Sequence, residues 1–141
     1  MLVPMSKERG TLDFLSNFVG KIKRRRRNAL IAKPRTVPPF GQVIPAGHHA
    51  PLLRADHATY DRFFPTLSAV VQEEVGGYTL DIGANIGLSF GESIAQFPQQ
   101  KWILVEGDEQ YGRLLQTNIE LVKERAPKAK AECVIALVGS A

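Results

Sequence analysis

The stretch Tyr78-Thr79-Leu80-Asp81-Ile82-Gly83-Ala84-Asn85-Ile86-Gly87 decides how the chain is read. A short strand-like run ends in a loop bounded by two glycines. Leu88 then opens an apolar pattern at helical spacing that ends before Pro98. Trp102-Ile103-Leu104-Val105-Glu106 reads as the next strand, followed by Gly107-Asp108. From 109 to about 124, Tyr111, Leu114, Leu115, Ile119 and Val122 share one helical face, and residues 133–138 give a third apolar strand. Strand, helix, strand, helix, strand predicts an α/β fold built on half of a doubly wound parallel sheet.

Such sheets bind ligands beyond the carboxyl ends of their strands. Gly83 and Gly87 permit backbone turns and close ligand approach that a Cβ would obstruct. The helix that follows points its unbonded N–H groups into the same space. Asp81 stands beside that loop, where a carboxylate suits an amino group and repels a pyrophosphate. Glu106 ends the second strand, 25 residues after Asp81, where nucleoside-binding folds place an acid on the ribose hydroxyls. NAD sites favour G-x-G-x-x-G with the pyrophosphate on the helix N-terminus, whereas here the spacing is Gly83-x-Asn85-x-Gly87 with an acid ahead of it. S-adenosylmethionine carries no phosphate but has a ribose, an adenine and an α-amino group. It matches these residues better than NAD. The bland alternative is an ordinary glycine-rich turn; the flanking strands and Glu106 count against it.

Outward from this segment the chain changes character. Residues 1–36 carry ten lysines and arginines against two acids, a net +8, while 37–141 carry eight against twelve, a net −4. This predicts a basic leader (1–36), a proline-rich linker (37–56) and a folded body (57–141). Leu12, Leu15, Phe18, Val19 and Ile22 predict an amphipathic helix over 11 to about 27, with Lys21, Lys23 and Arg24-Arg25-Arg26-Arg27 at its C-terminal end, where positive charge suits the helix dipole. Three readings compete for it: a solvated face packed on the body, an anionic membrane surface met by Lys21 to Arg27, and nucleic acid. Nucleic acid is disfavoured because no aromatic residue is interleaved with the arginines.

Pro34, Pro38, Pro39, Pro45 and Pro51 predict an extended connector, and His48, His49 and His57 read as surface histidines without a metal or a catalytic role. Over about 57–75, Tyr60, Phe63, Phe64, Leu67, Val70 and Val71 predict a second helical pattern with a core-facing stripe, interrupted at Pro65, where the helix restarts. The longest apolar runs fall far short of the roughly 20 residues that cross a bilayer. Cys133 is the single cysteine, which excludes an intrachain disulfide or a cysteine-rich zinc site and suits the cytoplasm, with the inner membrane face as the alternative.

Leu80-Asp81-Ile82-Gly83-Ala84-Asn85-Ile86-Gly87 resembles the first motif of S-adenosylmethionine-dependent methyltransferases of the FkbM type. Val105-Glu106-Gly107-Asp108, then Leu114-Leu115-Gln116-Thr117-Asn118-Ile119, resembles the second motif and the helix after it, with Gly107 where proline is commoner. His57 and Asp61-Arg62-Phe63-Phe64-Pro65 resemble the lead-in of members from polysaccharide biosynthesis loci. The resemblance covers about 48–141 and implies the Rossmann-like fold of class I methyltransferases. It implies that Asp81 and the loop of Gly83, Ala84, Asn85 and Gly87 hold the methionine part of S-adenosylmethionine. Glu106 would hold the ribose hydroxyls, and Asp108 would stand near the adenine. The implied reaction is methyl transfer to a sugar or small-molecule hydroxyl. A non-catalytic cofactor-binding or interaction protein and an RNA methyltransferase are the alternatives. Family members have about seven strands, so the chain reads as ending after the third, as a fragment, a truncated product, or a chain completed by a partner or a second copy.

Overall fold

The computed structural model describes residues 7–57, 59 and 62–139, with side chains from residue 18 onward. Tyr60 and Asp61 of the expected lead-in, and the side chains of Leu12 and Leu15, lie outside the described residues. In chain order the elements are α1 (Lys7–Ile31), β1 (Arg35–Val37), β2 (Gln42–Ile44), α2 (Ala50–Asp56), α3 (Phe64–Glu74), β3 (Thr79–Ile82), α4 (Leu88–Gln96), β4 (Lys101–Glu106), α5 (Glu109–Arg125) and β5 (Lys130–Ile135). The result is a mixed α/β fold whose three parallel strands, in the order β3-β4-β5, are flanked by helices; β1 and β2 form a separate antiparallel hairpin.

Side-chain alternation explains how the sheet is covered. Strand residues alternate faces, and the register pairs Asp81 with Leu104 and Leu104 with Cys133. That face also carries Trp102, and it packs against α4 and α5 through Phe90, Ile94, Leu115, Ile119 and Val122, all nearly or fully buried. Trp102 is fully buried, with Phe64 and Phe90 at ring distances of 5.7 and 5.9 Å. Its indole N–H donates to Gln100 Oε1 at 3.0 Å, so the largest core side chain is also satisfied. The opposite face leaves Leu80, Ile82 and Val134 exposed, although parallel sheets ordinarily bury both faces.

Several expectations change here. The 37–56 segment is not an extended connector: it holds most of the hairpin and α2, and Phe40, Gln42 and Ile44 are buried. Helix α1 runs past Arg27 to Ile31 and has no basic residue in its last turn, so the arginine run lies inside the helix and is not placed against its dipole. One expectation holds: the helix restarts at Pro65, α3 beginning at Phe64 with Pro65 in its first turn, where a missing N–H costs nothing. The expected core stripe of α3 is largely exposed at Phe63, Leu67, Val70 and Val71. Instead Pro65 and Ser68 face inward, and Gln72 bonds Thr79 Oγ1 and both the N–H and the carbonyl of Lys101. Strand β5 begins three residues before the expected run, because pairing with Lys101–Glu106 sets its extent.

Candidate functional site

The loop after β3 folds back onto the end of β4. Gly83 and Ala84 both donate their N–H to the Val105 carbonyl at 2.9 Å. The chain then takes positive φ at every second residue: Gly83 at 81°, Asn85 at 54° and Gly87 at 76°. Glycine adopts that region freely, and asparagine is one of the few other residues that visits it routinely. The Gly83-x-Asn85-x-Gly87 spacing is therefore a record of backbone geometry. At Gly83 an added Cβ would meet no atom within 4 Å. Gly83→Ala is expected to cost only the backbone term, about 1–2 kcal/mol, read by urea unfolding; a much larger loss would show that the space is not open. At Gly87 a Cβ would also lie 2.7 Å from Leu115 Cδ1.

Four side chains hold this loop in place. Glu106, 9% exposed, accepts the Asn85 N–H on Oε2 at 2.7 Å and the Asp108 N–H on Oε1 at 2.8 Å. Each carboxylate oxygen retains further acceptor capacity. From the other side, buried Gln42 donates to the Gly87 carbonyl at 2.8 Å, and Asn118 donates to the Ile86 carbonyl at 2.8 Å. Asn118 also takes both the N–H and the carbonyl of Val43, at 2.7 and 3.0 Å, as a neighbouring strand would. His48 completes the set. Its Nδ1 accepts the Ala50 N–H at 3.1 Å, so Nε2 carries the ring proton and donates to Asn85 Oδ1 at 2.7 Å. Tyr111 meets the His48 ring edge-on.

A cavity of about 560 Å³ opens above the loop, and Asp81, Gly83, Ala84 and Asn85 line it. Its other walls include His48 and His49, Tyr111, and the ion pair of Arg54 on α2 with Glu92 on α4. Gly87 is buried behind the lining, and neither Glu106 nor Asp108 reaches the cavity wall. Asp108 instead caps α5, its Oδ1 accepting the N–H groups of Gln110 and Tyr111 at 2.9 Å. Burial, with the Glu106 charge as a second cause, pushes the half-buried Cys133 thiol up from its ordinary pKa, so this cysteine is an unreactive thiol near neutrality.

The sequence reading thus brought four of its seven site residues onto one cavity and a fifth beneath it as the clamp. It missed His48, half-buried rather than on the surface, together with Arg54 and Tyr111. The proline-rich context hid His48, and its partner Asn85 lies 37 residues away. Among the described residues no cluster of His, Cys, Asp or Glu could hold a metal ion, and no helix is long and apolar enough to cross a membrane. No family model, curated protein or solved structure matches the chain.

Proposed function

We propose that this chain carries the cofactor-binding part of an S-adenosylmethionine-dependent methyltransferase of the FkbM type, acting on a sugar or small-molecule hydroxyl. The observation that carries this reading is the Asp81 carboxylate on a 560 Å³ cavity beside the positive-φ loop clamped by Glu106. The volume suits a ligand of cofactor size. A carboxylate favours an α-ammonium and a sulfonium and disfavours a pyrophosphate, which separates S-adenosylmethionine from NAD. The Gly83 to Asn85 backbone would meet the methionine part, and Glu106 would support it from beneath by holding the Asn85 N–H. When bound, the cofactor supplies an electrophilic methyl group. The protein's part is to orient it and to exclude water.

Thermal unfolding with added ligand tests the reading. A ligand present at a hundred times its Kd raises stability by about 2.7 kcal/mol. The melting temperature is expected to climb with S-adenosylmethionine or S-adenosylhomocysteine and to stay unchanged with NAD. A rise with NAD alone, or none with either sulfur compound, overturns the proposal. If the expected shift is seen, transfer of radiolabelled methyl to sugar acceptors tests the reaction itself.

A further inference from the structure

We infer that the stretch of α1 from Val19 to Arg26 is a docking surface for an anionic lipid bilayer. This surface is separate from the cavity and does not depend on its ligand.

Every residue from 18 to 29 is exposed. Described links of the helix to the body gather toward its C-terminal end: the Gly47 N–H donates to the Ile31 carbonyl at 2.7 Å, and Leu30 and Ile31 are half-buried. Arg27 pairs with Asp56 of α2 at 2.7 Å, which marks the side of α1 turned toward the body. At 100° per residue, Ile22 stands about 140° round the helix from Arg27, on the outward side. Val19 lies one turn before Ile22, about 60° round from it and about 80° from Arg27, at the edge of that side; the two are 48% and 39% exposed.

The charges are arranged around these two residues. Lys21 and Lys23 flank Ile22 in sequence, while Arg25 and Arg26, at i+3 and i+4, continue its face by one turn. Lys23, Arg24 and Arg27 lie toward the body, and Arg27 is already paired. An exposed apolar pair beside Lys21, Arg25 and Arg26 is the pattern of a helix lying in the membrane interface. Its apolar groups sink about 5–10 Å, and the lysine and arginine stems reach back to the headgroups. A nucleic-acid backbone would use the cations but has no use for exposed Val19 and Ile22. The acid-rich body, net −4 from 37 onward, keeps attraction to an anionic surface local to this helix.

Flotation of the full chain with phospholipid vesicles tests this. Vesicles of phosphatidylcholine with about one-quarter phosphatidylglycerol should carry the protein, pure phosphatidylcholine should not, and added salt should weaken capture. The triple variant K21A/R25A/R26A should weaken binding about a hundredfold, at about fivefold per charge near the surface. The double variant V19S/I22S should also lose binding at unchanged charge, and exposure at both positions lets it fold. Absence of flotation on anionic vesicles overturns the proposal. Vesicle binding that V19S/I22S leaves untouched, or single-stranded RNA binding with no vesicle binding, overturns it as well.

Discussion

Replacing Asn118 with leucine should lower the stability of the chain by about 3–5 kcal/mol, although leucine has the same branched arrangement of heavy atoms. The side chain is fully buried on α5 and joins three backbone groups from two distant segments. Leucine would leave the Val43 N–H, the Val43 carbonyl and the Ile86 carbonyl without a partner. Each orphaned group costs about 1–3 kcal/mol when it stays buried, and partial relaxation keeps the sum below the simple total. Against a whole-domain stability of about 5–15 kcal/mol, the loss is large. Urea unfolding measures it. A change under about 1 kcal/mol would mean that water replaces the carboxamide at little cost, and the hairpin would then not be a fixed support for the 83–87 loop.

Glu106→Gln should act first on binding. The carboxylate offers one oxygen to Asn85 and the other to Asp108. A carboxamide has one acceptor oxygen, so one of these N–H groups would face an amino group instead. Charged acceptors make bonds worth about 1.5–3 kcal/mol, and losing one would loosen the loop that lines the cavity. Affinity for S-adenosylmethionine is therefore expected to fall about tenfold to a hundredfold, by calorimetry. A second readout needs no ligand. The Glu106 charge helps to raise the Cys133 thiol, so the substitution should move the pH profile of Cys133 alkylation toward lower pH, with the burial effect remaining. Unchanged affinity alongside a shifted thiol profile would leave Glu106 as a structural clamp alone.

What could be read in advance follows from the range of each interaction. The elements from Thr79 to Arg125 stood in the sequence almost at their observed bounds, because glycines, Pro98 and the 3.6-residue spacing of Leu115, Ile119 and Val122 are local signals. Asp81 and the 83–87 loop were legible for the same reason: positive φ selects residue type within a few positions. The hairpin was not, since three short paired residues among prolines carry no periodicity and gain their stability from Asn118 on a helix 75 residues away. Apolarity misled twice. Residues 136–138 pulled the third strand toward the C-terminus, although hydrogen bonding to β4 had set its start at Lys130. The stripe through Leu67, Val70 and Val71 was read as core, whereas Ser68 and Gln72 make α3's inward polar contacts. His48 was visible as a residue, but its role depends on a partner that no local pattern names.

The bracing of the 83–87 loop by the hairpin and α5 also sets when the site can exist during synthesis. Closing a contact across many residues costs entropy that rises with the logarithm of the separation. Gln42 reaches Gly87 across 45 residues, and Asn118 reaches Val43 across 75. A ribosome adding about 5–20 residues per second delivers Asn118 about 4–15 seconds after Val43. Until then Val43 of the hairpin lacks its side-chain partner, and the Ile86 carbonyl lacks its donor. The braced cavity thus cannot form before α5 has been made, and a ligand that binds there selects for chains in which α5 has already docked.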